Sequence, residues 1–571
     1  MENINSWTKI HWPSVERKIV LLQIRIYKAS KENNWEKVHK IQTLIINSKF
    51  AKLLAVRKST QLNQGKNTPG IDNISGLNPE EKLTLSNELT IDGSADFVLR
   101  KFIPKPNGSQ RPLGIPTIKE RAKQALVYLA LSPQWEAQFE PNSYGFRPGR
   151  SVYDAIEAVR LAIFKKPKWV LDADIEKCFD KINHTYLVKK CNSNKIITKQ
   201  IKAWLKAGIL IEKELYFPDQ GTPQGGIISP LLANIALHGI EFELEKYAST
   251  LPGHKANNIQ SLSFIRYADD FVIMHADKNI LLGAKETVKN FLKPIGLNLS
   301  EDKTKISYTH ISEKEYPNCF TFLGFDVNQQ PIRRSVRYKV SGKNPTQNFI
   351  TLIKPSKVGI KLHKRKIRDT IRKHRGSSQE ILIMKLNPII RGWALSKRTQ
   401  TSSRVFQELD AYLYKRLWDW CRRRHNAMAS TKIKEKYFHK VKNRNWVFSI
   451  YDEKGSIKLE IQTHSAIKTT RYVKVKGDVS PYDGNVIYWS KRTGKNPLIP
   501  PIKARLIRDQ KGICPECNQP FMPDDIIERD HIIPKFLGGK NIRSNVQALH
   551  SHCHRNKTDK ELTGRRKLPK S

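Results

Sequence analysis

The chain is short of negative charge. Asp and Glu together number 53 against 101 Lys and Arg, a formal surplus of +48 over 571 residues. A surplus of that size requires an anionic partner. Nucleic acid comes first, because its phosphates are dense and release counterions on binding, and an anionic membrane surface is the weaker alternative. Long apolar runs are also missing. The longest lightly charged stretch, 225–240, holds Pro230 and His238, well short of the roughly 18 apolar residues a spanning helix needs, so no membrane partner is expected. The opening MENINSWTKIHW has no apolar signal core, and secretion is not expected. Cysteine is sparse, with seven residues in all. Cys178, Cys191, Cys319 and Cys421 are scattered, while Cys514, Cys517 and Cys553 lie near the end. That distribution excludes a disulfide scaffold and points to a reducing compartment with one local metal site. No internal repeat and no long low-complexity segment is present.

What is present suffices for several cores. Hydrophobic residues make up 39% and aromatics 9%, and the length predicts about three to five folding units. Residues 1 to about 95 read as basic helices, closed by a turn at Gly65, Pro69, Gly70, Asp72 and Asn73. FVLRKFIPKPNGSQRPLGIP predicts two short strands around a Pro-Asn-Gly-Ser turn, with a helix following over ERAKQALVYLALSPQWEAQF. KWVLDADI at 168–175 reads as a strand. LSFIRYADDFVIMH at 262–275 reads as a hairpin with carboxylates at its tip. GAKETVKNFLKPIGLNL predicts a helix, and FTFLGFDV a strand. From Arg333 to Arg444, Lys and Arg dominate a helical pattern. Residues 446–500 lean towards strand, and Pro497, Pro500 and Pro501 predict a linker.

Two acidic elements stand out. Asp174 in DADIEKCFD and the pair Asp269–Asp270 in RYADDFVI each follow or split strand-like apolar runs. Adjacent aspartates at a hairpin tip repel one another, so a cation is their natural companion. Two divalent ions about 3.5–4 Å apart can clamp the attacking and leaving oxygens of an in-line phosphoryl displacement. One would activate a primer 3′-hydroxyl, and the other would stabilise the departing pyrophosphate.

With these residues stand FIPKPNGSQRPLGIPTIKERAKQ, SYGFRPGRSVYDAI, VLDADIEKCFDKINH, QGTPQGGIISPLLANI, RYADDFVI, GLNLSEDKTKI and FTFLGF, in that order. The set resembles the group II intron-encoded reverse transcriptases that carry maturase and HNH endonuclease domains, and the resemblance covers nearly the whole chain. It implies an α+β multidomain protein. The parts would be a right-hand polymerase with fingers and palm, a helical thumb (maturase domain X), and a small zinc-supported ββα-metal HNH module. Asp174, Asp269 and Asp270 then take the catalytic positions and hold two Mg2+ ions. Phe179 takes the steric-gate position, with a plain core phenylalanine as its rival reading. Lys105 and Arg111 match the residues that hold the incoming dNTP, and Gln224 matches the nucleotide-pocket loop. Lys303 would either donate a proton to pyrophosphate or contact a phosphate. LNPIIRGWALS, with Arg391, Gly392 and Trp393, matches the most recognisable segment of domain X. Trp393, Trp418 and Trp420 individually read as core residues.

At the other end, Cys514-Pro-Glu-Cys517 and His550-Ser-His-Cys553 offer three thiolates and an imidazole, the donor set of a structural zinc site. The family pattern there is usually CxxC twice, so the fourth ligand is open between His550 and His552. The intervening ERDHIIPKFLGGKNIRSNVQALHSHCHRNKT resembles the HNH motif. That resemblance makes His531 the general base, Asp530 and His554 the ligands of one divalent metal ion, and Asn545 the residue that fixes the loop and orients His531. Glu528 is supportive only.

The boundaries implied are 1–95 for an RNA-binding N-terminal extension and start of fingers, 96–335 for fingers and palm, and 336–445 for thumb. A DNA-binding region or linker follows at 446–500, and the nuclease at 501–571. The expected activity combines RNA-directed DNA polymerisation, assistance to intron splicing, and nicking of target DNA to prime reverse transcription during intron mobility. Expected partners are the group II intron RNA, target DNA and dNTPs, with a homodimer left open. The expected setting is the bacterial cytoplasm, acting at the nucleoid, or an organelle. Alternatives are a splicing-only RNA-binding maturase and a non-intron reverse transcriptase.

Overall fold

A computed structural model describes residues 6–104, 108, 110–211, 214–222, 225–310, 316–332, 349–453, 455–523 and 525–567. Lys105 and Gln224 lie outside these residues. No helix among the described residues is long and apolar enough to cross a membrane.

Three basic helices, Trp12–Lys31, Trp35–Asn47 and Lys49–Arg57, pack around a fourth, Ile118–Glu136. The first buries Val15, Ile19 and Ile26 along one face, the helical spacing that leaves its lysines and arginines in water. Helix Ile118–Glu136 is buried almost all round, polar residues included. Those residues are paired, as burial demands. Lys123 Nζ sits 3.0 Å from Asp92, the Trp204 indole donates to Glu120 at 2.6 Å, and Gln42 donates to Gln134 at 2.6 Å.

Beside this bundle lie two four-stranded sheets. In one, the predicted hairpin forms as Val98–Pro104 against Gln110–Ile115, and Ile209–Ile211 adds in parallel to its first strand. In the other, the spatial order is Ser263–Tyr267, Asp270–His275, Trp169–Asp174, Lys305–Tyr308. Its strands are buried on both faces at the centre, which is why they read as near-continuous apolar runs rather than as alternation.

Two local expectations change. FTFLGFDV is not one strand but a tight hairpin, Phe320–Phe322 against Phe325–Pro331. The turn residues Leu323 and Gly324 both have positive φ (48° and 77°), the backbone whose twist suits a two-residue hairpin loop. The helix expected over 283–299 runs instead over Lys278–Leu292 and passes into a single 3₁₀ turn ending at Gly296 (φ 82°). Pro294 in that turn removes the amide that would continue the α-helix.

Beyond Phe349–Pro355 come the basic helices Lys357–Lys373, Gln379–Lys397 and Ser403–Arg424, then a small sheet of Phe438–Val441, Arg444–Tyr451 and Ile457–Glu460. Trp420 is buried and donates to the His374 carbonyl. Trp418 stacks on Tyr414. Trp393 stacks on His363, which meets His464 at 2.8 Å, and His464 in turn meets Asp410 at 2.7 Å. The prolines expected to form a linker end differently, because Pro501 opens helix Pro501–Asp509, a position where its missing amide costs nothing. The last module pairs Ile527–His531 with Val546–His550 and adds helix Ser551–Lys567 over a small core.

Two candidate active centres and a Cys/His cluster

Strands Trp169–Asp174 and Asp270–His275 run antiparallel in a register that sets Asp174 directly opposite Asp270. Asp269 lies beside them in the two-residue turn after Tyr267. The turn needs a left-handed residue at its first position, and Ala268 supplies it at φ 60°, a strained backbone for any side chain but glycine. What holds the strain is the segment before it. The Tyr144 amide donates to the Arg266 carbonyl at 2.9 Å, and Gly145 lies so close that a Cβ there would stand 2.3 Å from the Ala268 amide nitrogen. Behind Asp174, the Ser300 amide donates to its carbonyl at 2.8 Å. This anchors the loop from which Lys303 reaches back to ion-pair with the Asp174 carboxylate.

The carboxylates are electrostatically crowded. Burial, then Asp269 and Asp174, push the Asp270 carboxyl up to about 7. Asp269 is raised by burial and by Asp174, against opposing pull from Arg111 and Lys303. Burial raises Asp172 to about 6, and its neighbour on the outer strand is Lys305 rather than the turn that bears Asp269. Three carboxylates converging in partial burial fit divalent cations, whose charge would offset this repulsion.

The remaining polymerase-type positions are arranged around this point. Phe179, in the short helix Cys178–Lys181, is partly buried against the main core. Its carbonyl accepts from the Thr222 amide, which lays the loop bearing Gly221 over it. Gly221 (φ 87°) rests on the Asp180 backbone, and Gly225 (φ 117°) lies where a Cβ would be 2.3 Å from the Gly114 carbonyl oxygen. Gly221 and Gly225 therefore lie against the segment after Asp174 and against the Val98–Ile115 hairpin, at contacts only glycine permits. Arg111 is exposed on the hairpin and acts on Asp269 through its charge.

In the C-terminal module, Cys514, Cys517, His550 and Cys553 bring their ligand atoms within 4.8 Å of one another. Three sulfurs and one imidazole nitrogen fit zinc. Of the two candidate rings, His550 is the one that lies in the cluster. Strand Val546–His550 ends with that ring in the cluster, its Nδ1 3.4 Å from Cys517 Sγ. His552 faces away, and its Nδ1 accepts from Arg57 at 3.2 Å. Sequence reasoning missed Asp525, whose carboxylate meets His550 Nε2 at 3.1 Å. Such a partner fixes the ligand ring and raises its basicity.

Some way along the same hairpin, Glu528 and Asp530 share a strand face, and His554 from the following helix lies between them. It pairs with Glu528 through Nδ1 and stands 3.5 Å from Asp530 Oδ1 through Nε2. An Asp oxygen and a His nitrogen so placed fit one divalent cation. Lys557, also missed, donates to Asp530 at 2.7 Å. Asn545 is buried and holds both backbone groups of Ile533, at 2.8 and 3.0 Å, so it fastens the loop that follows His531. His531 Nε2 has no hydrogen-bond partner among the described residues.

Three crowded aspartates in a strongly basic chain, with a second Asp/His centre beside a thiolate cluster, define an enzyme that works on nucleic acid. The family comparisons narrow this. Residues 7–89 match the N-terminal domain of reverse transcriptase, 103–327 the reverse transcriptase (RNA-dependent DNA polymerase), 360–438 the group II intron maturase-specific domain, and 514–560 the HNH endonuclease. The chain is 31% identical to protein YkfC of Escherichia coli, over 50% of this chain and 81% of that one. It is 32% identical to the group II intron-encoded protein LtrA of Lactococcus lactis, over 49% of this chain and 55% of that one. It is 30% identical to maturase-like protein 1 of Euglena gracilis, over 40% and 51%. The chain thus spans about half the length of the last two relatives. It belongs to the group II intron-encoded reverse transcriptases, with reverse transcriptase, maturase and HNH endonuclease domains.

Proposed function

We propose that this protein forms a ribonucleoprotein with a group II intron RNA, helps it splice, nicks target DNA and copies the RNA from the nick. In this reading the Val98–Ile115 hairpin belongs to the fingers and the carboxylate-bearing sheet is the palm. The basic helices 357–424 are the thumb and the last module is a ββα-metal nuclease. The observation that carries the reading is the cross-strand pair Asp174–Asp270 with Asp269 in the adjoining turn.

Asp174, Asp269 and Asp270 would hold two Mg2+ ions, which supply charge neutralisation at the entering and leaving oxygens. The primer 3′-hydroxyl attacks the α-phosphorus of a dNTP, and the bond to pyrophosphate breaks. Arg111 and Lys105 orient the triphosphate. Lys303 is placed to meet negative charge beside Asp174. Phe179 closes the floor where a ribose 2′-hydroxyl would lie, which favours deoxynucleotides. Gln224 completes the pocket loop.

At the nuclease, His531 would take the proton of the attacking water. Its imidazole suits that task near neutral pH. Asp530 and His554 would hold the single divalent ion on the scissile phosphate, and Asn545 keeps the base in place through its loop. The Cys514–Cys517–His550–Cys553 cluster would hold zinc as a staple. Lys and Arg on the thumb face would bind RNA, since phosphate contacts dominate such affinity.

Primer extension on an RNA template with Mg2+ and dNTPs is the deciding experiment. The reading requires extension by the purified protein, and a protein inert under those conditions overturns it in favour of a splicing-only role.

A further inference from the structure

The C-terminal module is seated on the N-terminal helices rather than hung from a tether. Arg57, 5% exposed at the end of helix Lys49–Arg57, is the centre of the seat. Its guanidinium lies 4.4 Å over the Trp12 ring, donates to Glu16 at 2.7 Å, and donates to His552 of the nuclease module at 3.2 Å. The His552 ring lies parallel to that of the cluster residue His550, with centroids 5.3 Å apart. A second contact flanks the first, as Gln519, in the loop after Cys517, donates to the Pro13 carbonyl at 3.1 Å. The module thus has two fixed points, one on Arg57 at the end of helix Lys49–Arg57 and one on Pro13 in the first turn of helix Trp12–Lys31, and Arg57 ties the two helices together through Trp12 and Glu16.

The connecting chain reinforces the seat. Asp154, fully buried at the start of helix Val152–Ile163, accepts from the Val475 amide at 2.7 Å, the Tyr472 hydroxyl at 2.9 Å and Arg492 at 2.6 Å. Arg150 donates to the Gly477 carbonyl at 2.7 Å. Trp489 is wholly buried in the same core as Tyr144 and Val170. Ser490 then donates to the Gly512 carbonyl at 2.6 Å, which carries the connection into the nuclease module. Residues 472–492 are thus a strap fastened to the polymerase body along its length, with Ser490 as its bond to the nuclease module.

We propose that the Arg57–Glu16–His552 joint, with this strap, fixes the nuclease relative to the polymerase centre and so sets where the second-strand cut falls. The idea rests on the reading of the module as the nicking nuclease. A linked domain free to rotate would cut over a range set by its tether. A seated one cuts at one phosphodiester. His552 serves here as a positioning residue, since it touches no reacting atom.

The test uses the full-length protein with its intron RNA on target DNA. His552→Ala and Gln519→Ala loosen the seat from the nuclease side, and Arg57→Ala from the other. Two readouts are needed, the distribution of cut positions and amide exchange in the first turn of helix Trp12–Lys31. In the wild type a single cut and slow exchange are expected. In the combined His552→Ala, Gln519→Ala variant, cuts should spread over several positions and exchange should quicken by about tenfold or more, as for a locally opened element. Primer extension from a supplied primer should continue in both. A variant that cuts at the wild-type position with wild-type exchange overturns the proposal. A wild-type protein that makes no cut overturns the nuclease reading instead, and slow exchange in that protein which quickens in the variant would leave the seat itself standing.

Discussion

The two candidate active centres make an instructive pair. Both set carboxylates at or beside the end of an antiparallel hairpin, yet their supports differ. The aspartate site stands on the largest hydrophobic cluster among the described residues, and its carboxylates face one another with Lys303 and Arg111 as the cationic influences on them. The Asp/His site of the HNH domain stands on a handful of buried residues beside a Cys/His cluster, and its carboxylates already have partners in His554 and Lys557. The first centre is held by packing and destabilised by its own charge. The second is electrostatically satisfied but short of core, as small modules are. Folding and charge balance are solved in opposite order.

That contrast can be broken in stages. The largest effect should come from zinc removal. Structural zinc contributes about 10–16 kcal/mol of apparent binding free energy in comparable small modules, so a chelator or Cys514→Ser should unfold residues 501–562 while primer extension survives. Circular dichroism and differential scanning would show a separate early transition. If the whole chain unfolded at once, the two supports would not be independent.

Next come the chemical substitutions. Asp269→Asn should lower extension by more than about a hundredfold, beyond the loss from an outer-shell partner, with nicking intact. His531→Ala should lower nicking by roughly 10²–10⁴, the usual contribution of a general base, with extension intact. Loss of both activities in either variant refutes the division of labour.

Asp525→Ala should weaken zinc affinity by about 10–100-fold, read by competition with a chromogenic chelator. Gly145→Ala is smaller in energy, about 1–3 kcal/mol of overpacking. Its clash falls on the strained Ala268 turn, so kcat should drop more than Tm suggests.

The smallest effect is a pH dependence. Asp270 is raised to about 7 from an ordinary value of 3.8. A raised acid binds more protons folded than unfolded, so the metal-free protein should lose stability as pH climbs from about 4 to 7. Mg2+ should restore it at the upper end, because only the ionised form binds. Thermal melts with and without Mg2+ check the sign, and a metal-free protein that gains stability over this window contradicts the crowding.

The sequence made the aspartate-bearing strands legible because carboxylates interrupt apolar runs at a register that strand geometry dictates. It made the Cys/His cluster legible through CxxC spacing. It left His550 and His552 open, because only His550 keeps the two-residue spacing to Cys553 but a histidine there departs from the usual cysteine pair. The choice depends on where a strand ends and on Arg57, nearly five hundred residues away in sequence. FTFLGFDV misled for a related reason, because an apolar run alone does not distinguish a strand from a tight hairpin. The strap was the least legible part. Its signal lies in partners such as Asp154 with Arg492, which no local pattern contains.

Asp154 has a consequence for the order of biosynthesis. The residue is separated from Tyr472 by 318 positions, roughly 16–64 s of translation at about 5–20 residues per second. Throughout that interval the start of helix Val152–Ile163 has its Ser151 cap but lacks the strap's donors. The polymerase body is therefore made with a socket on its flank, and the HNH domain, emerging after it, is fitted to a surface already built. The ribosome delivers the copying machinery before the cutting one.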